Sequence, residues 1–334
     1  MRAMVMDQPG AVASQPLVLR ELAAPEAGPG QVRVRVRVCG ICRTDLHVVE
    51  GELPPAKHPL IPGHQVVGIV DRVGPGVRAV KEGDRVGIAW LQETCNVCEF
   101  CISGRENLCL QARFTGYHVD GGYADYAVVP ESFAYPIPSV FTDDEAAPLL
   151  CAGMIGFRAL RLSEVKPGES LGLYGFGASA HLVIQIARHR GCSVSVCSQR
   201  KEHQALAREL GAVWVGEATD IPPEPFHGAI IFAPAGELVP PALKALRRGG
   251  TLAIAGIHMS PIPQLDYDRE LFGERTIRSV TANTKQDGLD LLREAASIPI
   301  RPHAQRFKLE EANTALQALK AGRIQGAGIL SMNE

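Results

Sequence analysis

The chain has no apolar run of the ~18 residues that a bilayer crossing needs, so nothing in it reads as a membrane span. It has no excess of charge either. A formal net charge of -2 leaves no electrostatic ground for nucleic acid or an anionic membrane as a partner. Its first residues, MRAMVMDQPG, lack the apolar core of a secretory signal, and the cytoplasm is the expected compartment. An even cysteine count is missing too. Nine thiols cannot all pair, and a reducing compartment would keep them free.

At 334 residues the chain is too long for one core, and two domains are expected. The first part is rich in Val, Gly and Pro. Its runs QVRVRVRV, HQVVGIVDRVG, EGDRVGIA and YADYAVVP alternate between apolar and polar residues and end at Gly or Pro, which predicts a β-rich domain. Val32 to Val38 looks basic, yet its alternation is that of a strand with valines on one face and solvated arginines on the other. From about residue 150 the rhythm becomes strand, helix, strand. SLGLYGF, SVSVCS, AVWVG, GAIIFAP, TLAIAG and RTIRSVT alternate with helical patterns, which implies a doubly wound parallel sheet. We assign 1–147 and 285–334 to the β-rich domain and 148–284 to the parallel-sheet domain, an α/β chain overall.

GFGASA, from Gly175 to Ala180, falls between a predicted strand and a predicted helix. In that setting Gly175 permits a tight turn and Gly177 lets the backbone approach a pyrophosphate. Ala180 keeps helix and strand close. The end of the next strand is Ser198, followed by Gln199, Arg200 and Lys201. No carboxylate stands there to bind a free ribose or to repel a phosphate, so NADP is favoured over NAD. The bland alternative is that Arg200 and Lys201 only open a solvated helix.

Four cysteines, Cys95, Cys98, Cys101 and Cys109, lie in the stretch CNVCEFCISGRENLC. Thiolates so close can close around one tetrahedral zinc with no position left open; disulfides and an iron–sulfur cluster are the alternatives. Cys39, Cys192 and Cys197 fit no pattern and are expected to be buried.

CGICRTDLH, the Gly-His turn of IPGHQVVG, the four-cysteine stretch, PLLCAG and the glycine turn occur together and in one order. In this the chain resembles the zinc-dependent alcohol dehydrogenases of the medium-chain dehydrogenase/reductase superfamily, over nearly its whole length. The resemblance implies a GroES-like catalytic domain beside a Rossmann domain. It also implies two zinc ions per chain and hydride transfer between an alcohol, or its aldehyde or ketone, and NADP or NAD. Cys42, His64 and Cys151 match the catalytic zinc ligands, and Cys95, Cys98, Cys101 and Cys109 the structural ones. Thr44 matches the hydroxyl that meets the substrate oxygen, and His47 the residue that continues a proton relay toward solvent through the nicotinamide ribose. Asp45 matches a carboxylate that orients His64. Trp90, Leu91 and Tyr117 resemble positions that line the substrate pocket. Their apolar character suits alkyl or aryl alcohols better than polyols.

One position departs from the family. Gln65 stands where a Glu usually follows the ligand histidine, so no negative charge is supplied there. A polyol dehydrogenase on the same fold is the rival enzymatic reading, and a non-enzymatic zinc- and nucleotide-binding redox sensor is another. The last strand of the Rossmann domain, around Thr276 to Val280, offers an edge for pairing across a two-fold axis, so a homodimer or homotetramer is expected.

Overall fold

The computed structural model describes residues 1–298, 300, 302, 304–324 and 326–332. The chain divides into two compact units, Met1–Cys151 with Ala282–Ala296 and Arg301–Glu334, and Ala152–Thr281 with Ser297–Ile300. Composition put the crossings after residues 147 and 284; by contact they fall after Cys151 and Thr281, and Ser297–Ile300 groups with the second unit. The first differs because the short helix Asp143–Pro148 packs on the sheet of the first unit after the strand-like alternation has ended.

The first unit is built on the strand Gln31–Ile41. Val32, Val34, Val36 and Val38 are buried on its inner face, as their alternation requires. One edge pairs antiparallel with Gln65–Val73. The other edge is shared, its first half by Tyr126–Pro130 and its second half by Ala327–Ser331. Arg85–Ile88 and Ala134–Pro136 extend the sheet on one side and Ala304–Lys308 on the other. Two slips in the ladder, at Arg33/Val34 and Val36/Val38, bend the central strand. The arginine face is not simply solvated. Arg33 makes two bonds to the Asp71 carboxylate, at 2.9 and 3.0 Å, and lies over the Tyr126 ring.

The second unit holds six parallel strands in the order Trp214–Gly216, Ser193–Cys197, Ser170–Tyr174, Phe226–Ile231, Leu246–Ile254, Thr276–Ser279. All six predicted strands are present. The order reverses beside Ser170–Tyr174, which is where doubly wound sheets open a crevice for a ligand. The helix Ala178–His189 buries Ala180, Leu182, Val183, Ile184, Ile186 and Ala187 and ends before Gly191, whose φ of +80° suits glycine. Among the described residues no helix is long and apolar enough to cross a membrane.

Candidate active site

Strand register brings the first two candidate ligands together. In the antiparallel ladder Gly40 faces Gln65, so the strand end that leads to Cys42 lies beside the start that follows His64. Cys42 caps the helix Arg43–Glu50, and its N–H donates to Asp45 Oδ2 at 2.8 Å. Cys151 arrives from the other direction. The helix Asp143–Pro148 starts with a capping box between Thr142 and Glu145, and its ladder then widens into a π turn over Leu149–Gly153. Such turns shift side chains out of helical phase and recur at functional sites. Here the shift leaves Cys151 half-buried between the buried Leu150 and Met154.

His64 Nε2 lies 3.3 Å from both Cys42 Sγ and Cys151 Sγ, and the two sulfurs are 3.8 Å apart. A tetrahedral ion with Zn–S of ~2.3 Å and Zn–N of ~2.0 Å requires edges of about 3.8 and 3.5 Å. The donor set fits a zinc with one corner open. Without an ion the two thiols share a charge unequally, Cys42 being pushed down as Cys151, hydrogen-bonded to it and buried, is pushed up. Burial opposes charge on Cys42, but the Cys151 thiol and the His64 ring outweigh it and hold Cys42 well below the usual thiol range. Behind the ring, Asp45 Oδ1 is 3.0 Å from His64 Nδ1, with both side chains buried. That fixes which nitrogen faces the sulfurs.

Thr44 and His47 are three residues apart on the helix Arg43–Glu50, hence on one side of it, and both are partly exposed. His47 Nδ1 is 2.5 Å from Glu52 Oε2, a partner that no sequence pattern announced. Gln65 is buried against Gly40, and its amide nitrogen has no hydrogen-bond partner among the described residues. Trp90 meets the His64 ring edge-on at 4.9 Å. It also stacks on Phe114 at 5.0 Å and approaches Tyr117 at 5.8 Å. Phe114 was not predicted. Leu91, expected beside the pocket, is fully buried in the main core, where it opens the strand Leu91–Glu93.

The second cysteine group is free of disulfides. Three of its Sγ separations are 3.5, 3.6 and 3.8 Å, against the ~2.0 Å of an S–S bond. All four sulfurs lie within 4.8 Å of one another. That spacing suits a single tetrahedral ion and is too tight for a cage of several iron and sulfur atoms. The backbone N–H groups of Val97 and Cys98 lower the Cys95 thiol to about 6. Cys39, Cys192 and Cys197 are buried and belong to neither group, although the Cys39 sulfur packs under the Gly63 turn beside His64.

In the second unit Gly175 has a φ of +84°, and a Cβ on it would lie 3.0 Å from Ala233 N. A Cβ on Gly177 would meet nothing within 4 Å, so the backbone lies open at the start of the twelve-residue helix Ala178–His189. No side chain caps that start. Uncapped N–H groups there suit a pyrophosphate. Gly175 N–H donates to Cys197 O at 2.9 Å, which sets Ser198 beside the glycine turn. Arg200 is exposed, with Glu202 3.9 Å away.

An open Cys2His site in a β-rich unit and a glycine turn in a six-stranded parallel sheet define a zinc-binding, nicotinamide-dependent oxidoreductase. Comparison with known proteins gives the family. Residues 28–139 match the alcohol dehydrogenase GroES-like domain and residues 180–297 the zinc-binding dehydrogenase domain. The "probable alcohol dehydrogenase AdhA" of Mycobacterium tuberculosis is 49% identical over 99% of this chain and 97% of its own. An alcohol dehydrogenase of Geobacillus stearothermophilus is 35% identical over 100% of both chains. Among solved structures, a cinnamyl alcohol dehydrogenase from Sorghum bicolor has a TM-score of 0.88 at 28% identity, covering 99% of this chain and 97% of the other. The chain belongs to the zinc-dependent alcohol dehydrogenases of the medium-chain dehydrogenase/reductase superfamily. It is an enzyme that moves a hydride between an alcohol, or its aldehyde or ketone, and a nicotinamide cofactor.

Proposed function

We propose that this dehydrogenase carries two zinc ions per chain, one at Cys42, His64 and Cys151 and one at Cys95, Cys98, Cys101 and Cys109. It acts on alcohols with alkyl or aryl substituents and prefers NADP(H). The observation that carries the reading is the Cys42–His64–Cys151 triangle, whose edges match a tetrahedral zinc with a free corner.

When bound, zinc supplies Lewis acidity toward the substrate oxygen, and the nicotinamide takes or returns the hydride. The Asp45 carboxylate, 3.0 Å from His64 Nδ1, favours the tautomer with its proton on that nitrogen, which leaves the Nε2 lone pair toward the cysteines. Thr44 Oγ1 receives the substrate hydroxyl proton and passes it on. His47 relays it, and its neighbour Glu52, 61% exposed, hands it to water. Trp90 and Tyr117 give the site an apolar wall that favours carbon substituents over additional hydroxyls.

Gly175, Gly177 and Ala180 form the pyrophosphate turn in this reading. Ser198 and Arg200 take the 2′-phosphate end, where a carboxylate would select NAD. Among the described residues Thr276–Ser279 pairs only with Leu246–Ile254, and that open edge supports a homodimer or homotetramer. Nine unpaired thiols suit a cytoplasmic setting.

A spectrophotometric screen of alcohols and aldehydes with both cofactors tests substrate and cofactor together. Tighter binding of NADH than NADPH overturns the cofactor preference. Faster turnover of polyols than of aryl alcohols overturns the substrate class.

A further inference from the structure

Two polar neighbours of the aromatic wall have no part in the reaction described above. Gln92 is 6% exposed and Thr115 1%, in places where an unpaired polar side chain would be costly. They belong to two short segments that pair antiparallel, Leu91 with Phe114 and Glu93 with Arg113. Gln92 is the extra residue of that ladder, a bulge. Bulges re-aim side chains, and Gln92 is buried next to the buried Leu91.

The amide of Gln92 faces two ways. Its Nε2 donates to Val128 O at 2.9 Å, in the strand Tyr126–Pro130 of the main sheet. That leaves Oε1 toward Thr115, whose hydroxyl lies 2.9 Å from it and 2.7 Å from Ala89 O. One hydroxyl proton serves both acceptors. The Thr115 N–H donates to Trp90 O at 2.9 Å. Thr115 is thus bonded to Ala89, Trp90 and Gln92 together.

The rings of the wall flank these bonds. Trp90 lies between Ala89 and Gln92 in the chain, and Phe114 and Tyr117 lie on either side of Thr115. Their segment is a tight turn, with His118 N–H donating to Phe114 O at 2.9 Å and Gly116 N–H to Val119 O at 2.8 Å. Gly116 has a φ of +70°, and a Cβ on it would lie 2.7 Å from Gly63 N. The backbone after Thr115 therefore rests against the residue that precedes His64.

Resting on the reading that Trp90 and Tyr117 form the wall of the substrate site, we propose that Thr115 is a positioning residue. Its hydroxyl, held by the bulged Gln92, locks the segment of Trp90 to the turn of Phe114 and Tyr117. It thereby fixes the rings on which a planar substrate stacks, and so favours aryl over small alkyl alcohols. The hydroxyl is buried, so it acts through the rings and not on the substrate. A displacement of ~1 Å in such a wall is enough to cost selectivity.

Thr115→Val keeps the shape and removes the hydroxyl, while Thr115→Ser keeps the hydroxyl. Three quantities are read: the ratio of kcat/KM for benzyl alcohol to that for ethanol, the emission of Trp90, and Tm. A Trp214→Phe background leaves Trp90 as the single emitter of the chain's 2 tryptophans. Thr115→Val should lower the ratio about tenfold, chiefly through KM for benzyl alcohol, and Thr115→Ser should stay within about twofold of wild type. Trp90 emission should move to longer wavelength in the first variant and not in the second. Gln92→Met removes the anchor to the sheet and leaves the Ala89 bond. It should lower the ratio about threefold, and it carries the test if Thr115→Val does not fold. A lower Tm with ratio and emission unchanged would make Thr115 a residue of the fold alone and overturn the proposal. A Thr115→Ser enzyme that behaves like Thr115→Val overturns it as well. A ratio that Trp90→Ala leaves unchanged overturns the wall reading, and the proposal with it.

Discussion

The two cysteine groups of this enzyme use the same sulfur chemistry in opposite surroundings. Cys42, His64 and Cys151 come from three separate segments, and a buried carboxylate backs the imidazole. Cys95, Cys98, Cys101 and Cys109 come from one local stretch whose neighbours Val97, Ile102 and Leu110 are exposed. The first group is positioned by the fold, through a ladder register and a π turn. The second positions its own loop, which has little apolar packing to do so. Three donors leave room for a substrate oxygen, while four leave none. In the proposed reading, cysteine ligands serve a reactive centre or a staple according to how many donors join them and what lies behind them.

The comparison can be broken most sharply at Cys42. Cys42→Ala should lower kcat/KM by about 1000-fold, roughly 4 kcal/mol of lost charge stabilisation, in steady-state assays. Its Tm should change far less. Cys98→Ser should do the reverse: Tm falls by about 5 °C or more in calorimetry as the lobe metal is lost, while turnover per folded chain stays within about twofold. Loss of catalysis by Cys98→Ser with Tm intact would abolish the distinction between the two groups.

Away from the metals, Ser198→Asp puts a carboxylate beside the glycine turn. It should weaken NADPH about tenfold relative to NADH in fluorescence titration, since like charge then faces the 2′-phosphate. The smallest effect is expected at Gln65. Gln65→Glu adds negative charge next to His64, which disfavours a further anion. The ionisation limb of the kcat profile should therefore move up by about half a unit to one unit. Superimposable pH profiles would mean that the amide is only a packing group against Gly40.

Much of this was legible in the sequence because the signals are local. Alternation placed the four valines of the central strand and six parallel strands, and cysteine spacing found the lobe. What escaped depends on contacts between distant segments. Glu52 beside His47, Phe114 beneath Trp90 and the pairing of Arg33 with Asp71 follow no periodicity. Leu91 was placed in the pocket by resemblance, and its apolar side chain carries no local signal that it packs in the core of the first unit instead. The π turn at Leu149–Gly153 has one local hint, Pro148 inside a helix, and proline alone does not specify it. Strand Ala304–Lys308 joined the first sheet without an alternating pattern to announce it.

Zinc analysis of three purified proteins probes the division of labour most directly. The account predicts two ions per chain in the wild type and one each in Cys42→Ala and Cys98→Ser, with turnover surviving only in the latter of the two variants. A Cys42→Ala enzyme that still holds two ions, or still turns over alcohol at the wild-type rate, would contradict it.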